Sequence, residues 1–369
     1  MQKKITAAML SVLLLLTGLP VSAEAVPEIS AYAAVLYDPL TETVLYERNS
    51  REILPMASTT KIMTALLAFE SGRADEPVEI TKEMVAVEGS SMGLMPGDVL
   101  TLGSIAEGMM MASGNDGANA IALFLGETAE GFAVQMNARA AEIGMMQTNF
   151  VTPSGLDAEG HGSTAYDMAR LAAEAMACPQ FADTVGQFSL LVDFIEPEKT
   201  VRYDNHNRLL MMYEDCTGIK TGFTKKAGRC LVSSAERDGA ELICVTLNAP
   251  DDWNDHMALF DYGFAQFSEK SPEVGTYAVP VVGGEADSVV CTAEDIPAVM
   301  LPEDAELHVD IRLPHFVYAP VSAGDTLGTA VIAVNGKTLA EIPLRAQKNI
   351  EAAADTRSGF QKWLNRMFG

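Results

Sequence analysis

The chain has 369 residues, of which 48% are hydrophobic and 20% charged, enough for one sizeable core and a smaller second domain. Fifty acidic residues against 25 basic ones leave a net charge of −25, which excludes nucleic acid as a partner, because phosphate binding needs clustered Lys and Arg. Five cysteines (Cys178, Cys216, Cys230, Cys244 and Cys291) form no CxxC pair, so zinc and thioredoxin-like redox chemistry have no support.

Lys3 and Lys4 precede an apolar run from Ile5 to Leu19, and Pro20-Val21-Ser22-Ala23 supplies small residues at a cleavage site. This is the layout of a secretory signal peptide, residues 1–23, on a run too short to span a bilayer. The stretch Ile29–Arg48 reads as a β-hairpin around the turn-rich Asp38–Thr43. A helix is expected from Ser58, with Ser58 or Thr59 as its cap and Ile62, Met63, Leu66 and Leu67 as its apolar stripe. Helical patterns follow over Ile105–Met111, Asn115–Leu125, Gly131–Ile143 and Thr164–Met176. After Arg202 the chain turns to strands at Thr217–Phe223, Arg229–Ala235 and Glu241–Leu247, the last two joined at Asp238-Gly239, and then a helix over Asp252–Phe267. The order predicts a mixed α/β (α+β) domain, residues 24–268, with an antiparallel sheet and helices against it. A break at Ser268–Gly275 precedes seven short strand-like runs, a small all-β domain over residues 274–347.

Residues 350–369 end in a segment where Phe360, Trp363, Leu364, Met367 and Phe368 share one helical face and Arg357, Lys362 and Arg366 surround it. Such a basic amphipathic helix suits a membrane surface, or it docks on its own protein.

Three short motifs carry candidate chemistry. In Ser58-Thr59-Thr60-Lys61 the Ser and Lys share a helix face, so the amine can take the proton that a serine nucleophile must lose. That needs a lysine whose pKa is lowered by burial or a neighbouring cation. Taken alone, the string also fits a cap followed by a surface lysine. Ser113-Gly114-Asn115 lies between two helices, where it is either a loop tip projecting into a cleft or a helix cap. Lys220-Thr221-Gly222 lies on a strand, where Gly222 permits close approach of an extended peptide to the backbone.

In this order the three make the signature set of β-lactamases and penicillin-binding proteins. The chain resembles one branch, the low-molecular-mass D-alanyl-D-alanine carboxypeptidases of the S11 peptidases, through MASTTKIMTALLAFE, MMASGNDGANAIA, NFVTPSGLDAEGHGSTAYDMARLA, CTGIKTGFTKKAGRCLVSSAERDG and FVYAPVSAGDTLGTAVIAVNGKTLAEIPL. The resemblance implies Ser58 as acylated nucleophile, Lys61 as its base and Ser113 as proton relay, on a peptidoglycan stem peptide. It also implies that Asn115 orients the substrate, Lys220 and Thr221 hold the terminal carboxylate, and the N–H groups of Ser58 and Phe223 form the oxyanion hole. β-Lactams would be inhibitors, and no metal or organic cofactor is implied. Some relatives carry His where this chain has Phe223, and some carry Arg near His206, so side-chain contacts there depart from the family pattern. His161 and His206 lack metal-ligand spacing and read as structural or supporting residues. No Glu-x-x-Leu-Asn string lies between Asn115 and Lys220, which argues against a class A β-lactamase. A D,D-endopeptidase and a non-catalytic wall-binding protein are the alternatives.

Overall fold

The computed structural model describes residues 25–294, 296–354, 363 and 366–368. The expected signal peptide lies outside the described residues, as does most of the expected C-terminal amphipathic helix; Trp363 and residues 366–368 are helical and exposed. Among the described residues no helix is long and apolar enough to cross a membrane.

In chain order the first domain comprises β1 (Ala33–Asp38), β2 (Thr43–Arg48), α1 (Lys61–Glu70), β3 (Pro77–Glu79), β4 (Val99–Thr101), α2 (Leu102–Ala112), α3 (Asn115–Gly126), α4 (Ala129–Ile143), α5 (Ala165–Met176) and α6 (Pro179–Val185). It continues through β5 (Ser189–Phe194), β6 (Lys199–Asp204), α7 (Leu209–Met212), β7 (Cys216–Thr224), β8 (Gly228–Arg237), β9 (Ala240–Leu247) and α8 (Asp252–Phe264). The main sheet is antiparallel with order β2-β1-β9-β8-β7, so β7 is an edge. Both its faces are covered. Ala33, Val35 and Tyr37 of β1 join one core with α1 to α5, while Ala34 and Leu36 join a second with Leu259, Phe260 and Phe264 of α8. Side chains alternate across a strand, so a two-faced burial demands the continuous apolar run AAVLY rather than alternation with polar residues. Asp238 (φ 53°) and Gly239 (φ 81°) make the expected tight turn, the left-handed pair that a two-residue hairpin requires.

The second domain holds β10 (Phe267–Lys270), β11 (Tyr277–Val282), β12 (Ser288–Thr292), β13 (Val299–Pro302), β14 (Leu307–Arg312), β15 (Val317–Tyr318), β16 (Thr326–Val334) and β17 (Lys337–Ala346). Six of them form a sheet of order β14-β16-β17-β12-β11-β15 around Val279, Val289, Cys291, Leu327, Ala330 and Leu344. Its β16–β17 turn reaches the first domain: Asn335 Nδ2 donates to Thr41 O (2.9 Å) and Lys337 pairs with Glu42 (2.8 Å).

Four expectations are corrected. Strands begin before Arg202, because β5 and β6 form a hairpin whose Leu191 points outward, spoiling the alternation that would mark it. The helix begun at Asp252 ends at Phe264, and Phe267 opens β10, which pairs with β13; part of the expected break is therefore strand. Ser58 lies in a 3₁₀ turn, Ala57–Thr60, ahead of α1. Neither Ser58 nor Thr59 caps that helix: Thr60 stands at the cap position without a side-chain cap bond, and Thr59 Oγ1 donates back to Met56 O (2.6 Å).

Candidate active site

Three structural elements meet at one end of the first domain. The turn Ala57–Thr60 carries Ser58, the α2–α3 junction carries Ser113 and Asn115, and the exposed edge β7 carries Lys220 to Phe223. Ser58, Ser113, Thr221, Gly222 and Phe223 line a cleft of about 410 Å³. Lys61, Asn115 and Lys220 lie beneath its wall, each almost wholly buried.

Lys61 is the centre of the arrangement. Its Nζ donates to Ser58 Oγ (3.1 Å), Asn115 Oδ1 (2.7 Å) and Ser154 O (2.8 Å). Those three acceptors satisfy its donors and fix it beside the serine, yet all three are neutral. An uncompensated buried ammonium costs several kcal/mol, so burial favours the neutral amine. Burial first, and the nearby Lys220 cation second, hold the Lys61 amine well below the usual lysine range, while Asp116 acts weakly in the opposite sense. A neutral amine in hydrogen-bond contact with a serine hydroxyl can accept its proton. Lys220 is pushed down to about 7 by burial and donates to Thr221 O (2.9 Å).

The backbone around Ser58 is tightly determined. Ala57 (φ 48°) and Ser113 (φ 55°) both adopt the left-handed conformation that side chains disfavour, a form of local strain that surrounding contacts must maintain. Those contacts are close. A Cβ on Gly222 would meet Ser58 N at 3.0 Å and Ala57 Cβ at 3.1 Å; one on Gly155 would meet Ala57 O at 1.8 Å. Both glycines let backbone pass against the serine turn: at Gly155 a Cβ has no room, and at Gly222 it fits only if its neighbours give by a few tenths of an ångström.

Ser154 and Asp116, which the sequence did not single out, support the site beside Asn115, His161 and His206, which it did. Ser154 supplies the carbonyl for Lys61. Asp116 accepts from the N–H groups of Met92 (2.9 Å), Gly93 (3.0 Å) and Leu94 (3.1 Å), tying that loop across the start of α3 beside Asn115. Asn115 Nδ2 donates to Glu88 O (2.7 Å), which fixes the amide so that Oδ1 faces Lys61. His161 is buried under the turn. Its Nδ1 accepts from Val151 N (3.0 Å), so the proton resides on Nε2, which donates to Thr60 Oγ1 (2.9 Å). Burial lowers its pKa to about 4, keeping it neutral and structural as expected. His206 lines the cleft together with Arg208, Arg229, Asp252 and Trp253. Arg229 is held by Asp252 (3.0 Å from Nε). All five cysteines are unbridged, and Cys230, Cys244 and Cys291 are buried.

A serine whose partner is a buried lysine, on a helix-flanked antiparallel sheet with an open edge, defines the class: serine hydrolases built on a Ser–Lys pair. Comparison with known proteins narrows it. The D-alanyl-D-alanine carboxypeptidase family model matches residues 20–251, and the model of the penicillin-binding protein 5 C-terminal domain matches residues 268–352. D-alanyl-D-alanine carboxypeptidase DacF of Bacillus subtilis (strain 168) is 31% identical over 357 residues, covering 92% of this chain and 89% of its own. The enzyme DacC of Escherichia coli (strain K12) is 31% identical over 348 residues, 88% of this chain and 85% of its own. The crystal structure of penicillin binding protein 5 from Haemophilus influenzae superposes with a TM-score of 0.63 at 26% identity, over 89% of this chain and 99% of that one. The chain belongs to the D-alanyl-D-alanine carboxypeptidase family, peptidase S11.

Proposed function

We propose that this protein is a serine-type D-alanyl-D-alanine carboxypeptidase that trims peptidoglycan stem peptides outside the cytoplasm and is acylated by penicillin. The observation that carries the reading is the buried Lys61, its pKa lowered by burial, held 3.1 Å from Ser58 Oγ. The stem peptide lies along the free edge of β7 by backbone pairing. Its terminal carboxylate is taken by Thr221 and the charged fraction of Lys220.

Ser58 Oγ attacks the carbonyl carbon of the penultimate D-alanine while Lys61 Nζ takes its proton. The oxyanion is received by the N–H groups of Ser58 and Phe223, fixed donors that need no reorganisation as charge develops. Collapse breaks the C–N bond, and the proton reaches the leaving amine of D-alanine through Ser113 and Lys220. Water, deprotonated by Lys61, then hydrolyses the ester and restores Ser58. Asn115 holds Lys61 and orients the substrate. Residues 1–23 act as an export signal, residues 24–268 form the catalytic domain, residues 274–347 a β-domain, and residues 350–369 attach to the membrane surface.

The test is release of D-alanine from diacetyl-Lys-D-Ala-D-Ala beside Ser58→Ala. Release should be lost by at least about 10³-fold in the variant. Equal release from both would remove Ser58 from the mechanism. No release from wild type that still binds labelled penicillin would point to cleavage of cross-links instead.

A further inference from the structure

The β-domain carries an uncharged, aromatic edge that the catalytic reading does not use. From Leu313 to Gly324 the chain has no Asp, Glu, Lys or Arg, in a protein of net charge −25. Within it Phe316 is 47% and Tyr318 69% exposed, their rings packed edge to face at 5.3 Å. Strand β15 pairs with β11 so that Tyr318 stands opposite Val282, itself 45% exposed. The outgoing chain arrives at the same place: Ala353 N donates to Gly283 O (2.8 Å), and Ala352 bridges Gly284. Exposed Ala352, Ala353 and Ala354 continue the edge, with exposed Glu285 and Glu351 to one side.

The position of this edge follows from strand register. The β16–β17 turn at Asn335 touches the first domain. Residues 321–325 precede the other end of β16, and Val321 bridges Ile350. Nine residues at about 3.3 Å each place that end roughly 30 Å from the interdomain contact. The aromatic edge thus lies at the far pole of the β-domain, beside Ala352 and Ala353.

We propose that this edge, with Phe316, Tyr318 and Val282 at its centre, is a lipid-binding surface that inserts into the headgroup region beside the C-terminal segment. Three observations favour lipid. Tyr318, an aromatic ring with a polar tip, suits a bilayer interface, and Phe316 packs beside it. The strip Leu313–Gly324, which carries no acid of its own, can approach anionic headgroups that would repel the rest of this protein. And the chain leaves from this edge into the basic amphipathic sequence Arg357–Gly369. Two adjoining attachments hold the β-domain upright, where one flexible tether would let it tumble. The inference rests on the reading of residues 350–369 as membrane-seeking.

The test uses vesicles of phosphatidylethanolamine and phosphatidylglycerol with the mature chain. Phe316→Ser/Tyr318→Ser should weaken vesicle partition by about tenfold or more while leaving D-alanine release from a soluble peptide unchanged. Phe316→Trp should gain a blue-shifted emission on vesicle addition, quenched by brominated lipid. Partition equal to wild type in the double serine variant, or no vesicle response of Trp at 316, overturns the proposal. So does a Trp at 316 that is already blue-shifted in buffer and moves red in Trp363→Ser/Phe368→Ser, since the chain's own tail then covers the edge. If the tail variant binds vesicles like wild type but the double serine variant does not, the tail reading fails and the edge itself is the attachment.

Discussion

Replacing Gly155 by alanine tests the idea that the serine turn is clamped by backbone rather than by side chains. Gly155 has φ +84°, and its added Cβ would lie 1.8 Å from Ala57 O and 2.9 Å from Thr60 Oγ1. The first contact falls roughly 1.5 Å short of ordinary van der Waals separation, so one of two backbone segments must move. One segment presents Ser58; the other presents Ser154 O to Lys61. The left-handed conformation adds about 1–2 kcal/mol for any residue with a Cβ. Misplacement of reacting groups by about 1 Å can cost 10²-fold, so acylation by labelled penicillin should fall by about 10²-fold and the melting temperature by about 2–8 °C. Gly72→Ala is the control. Its φ of +68° carries the same conformational cost, yet a Cβ there meets nothing within 4 Å. It should lower the melting temperature with acylation intact. Acylation of Gly155→Ala within twofold of wild type would refute the clamp.

Three further outcomes follow from the site. Lys61→Arg keeps a cation of similar length that cannot deprotonate, so penicillin acylation should drop by about 10²–10⁴-fold across pH 6 to 9; recovery at alkaline pH would argue against a general-base role. His161, buried with a folded pKa of about 4 against 6.5 when unfolded, penalises folding as pH falls from 6.5 toward 4, because only the unfolded chain gains the proton. At pH 5 this amounts to on the order of 2 kcal/mol relative to pH 7.5; urea titrations should show that loss in wild type and a smaller one in His161→Gln. Asp116→Ala strands the N–H groups of Met92 and Leu94, and a cost of about 2–3 kcal/mol should appear as a lower urea midpoint; an unchanged midpoint would show that the loop is held elsewhere.

The sequence by itself determined the local chemistry and the order of elements. Spacing of three in Ser58-Thr59-Thr60-Lys61 dictates that amine and hydroxyl meet, because residues three apart share a helical face whether the turn is α or 3₁₀. Apolar runs marked α2 to α5 and β7 to β9, since periodicity records which face meets a core. The hairpin β5–β6 and α6 escaped because their burial is patchy: Leu191 and Ile195 are exposed while polar Thr184 is buried. Only the tertiary structure decided that Asn115 rather than an acid receives Lys61, that a carbonyl from residue 154 completes its shell, and that Gly155 from a loop and Gly222 from β7 press on the turn. Asn115 and Ser154 lie 54 and 93 residues from Lys61 along the chain. A lysine becomes a base through what surrounds it, and burial is a property that packing confers and no short string of residues can encode.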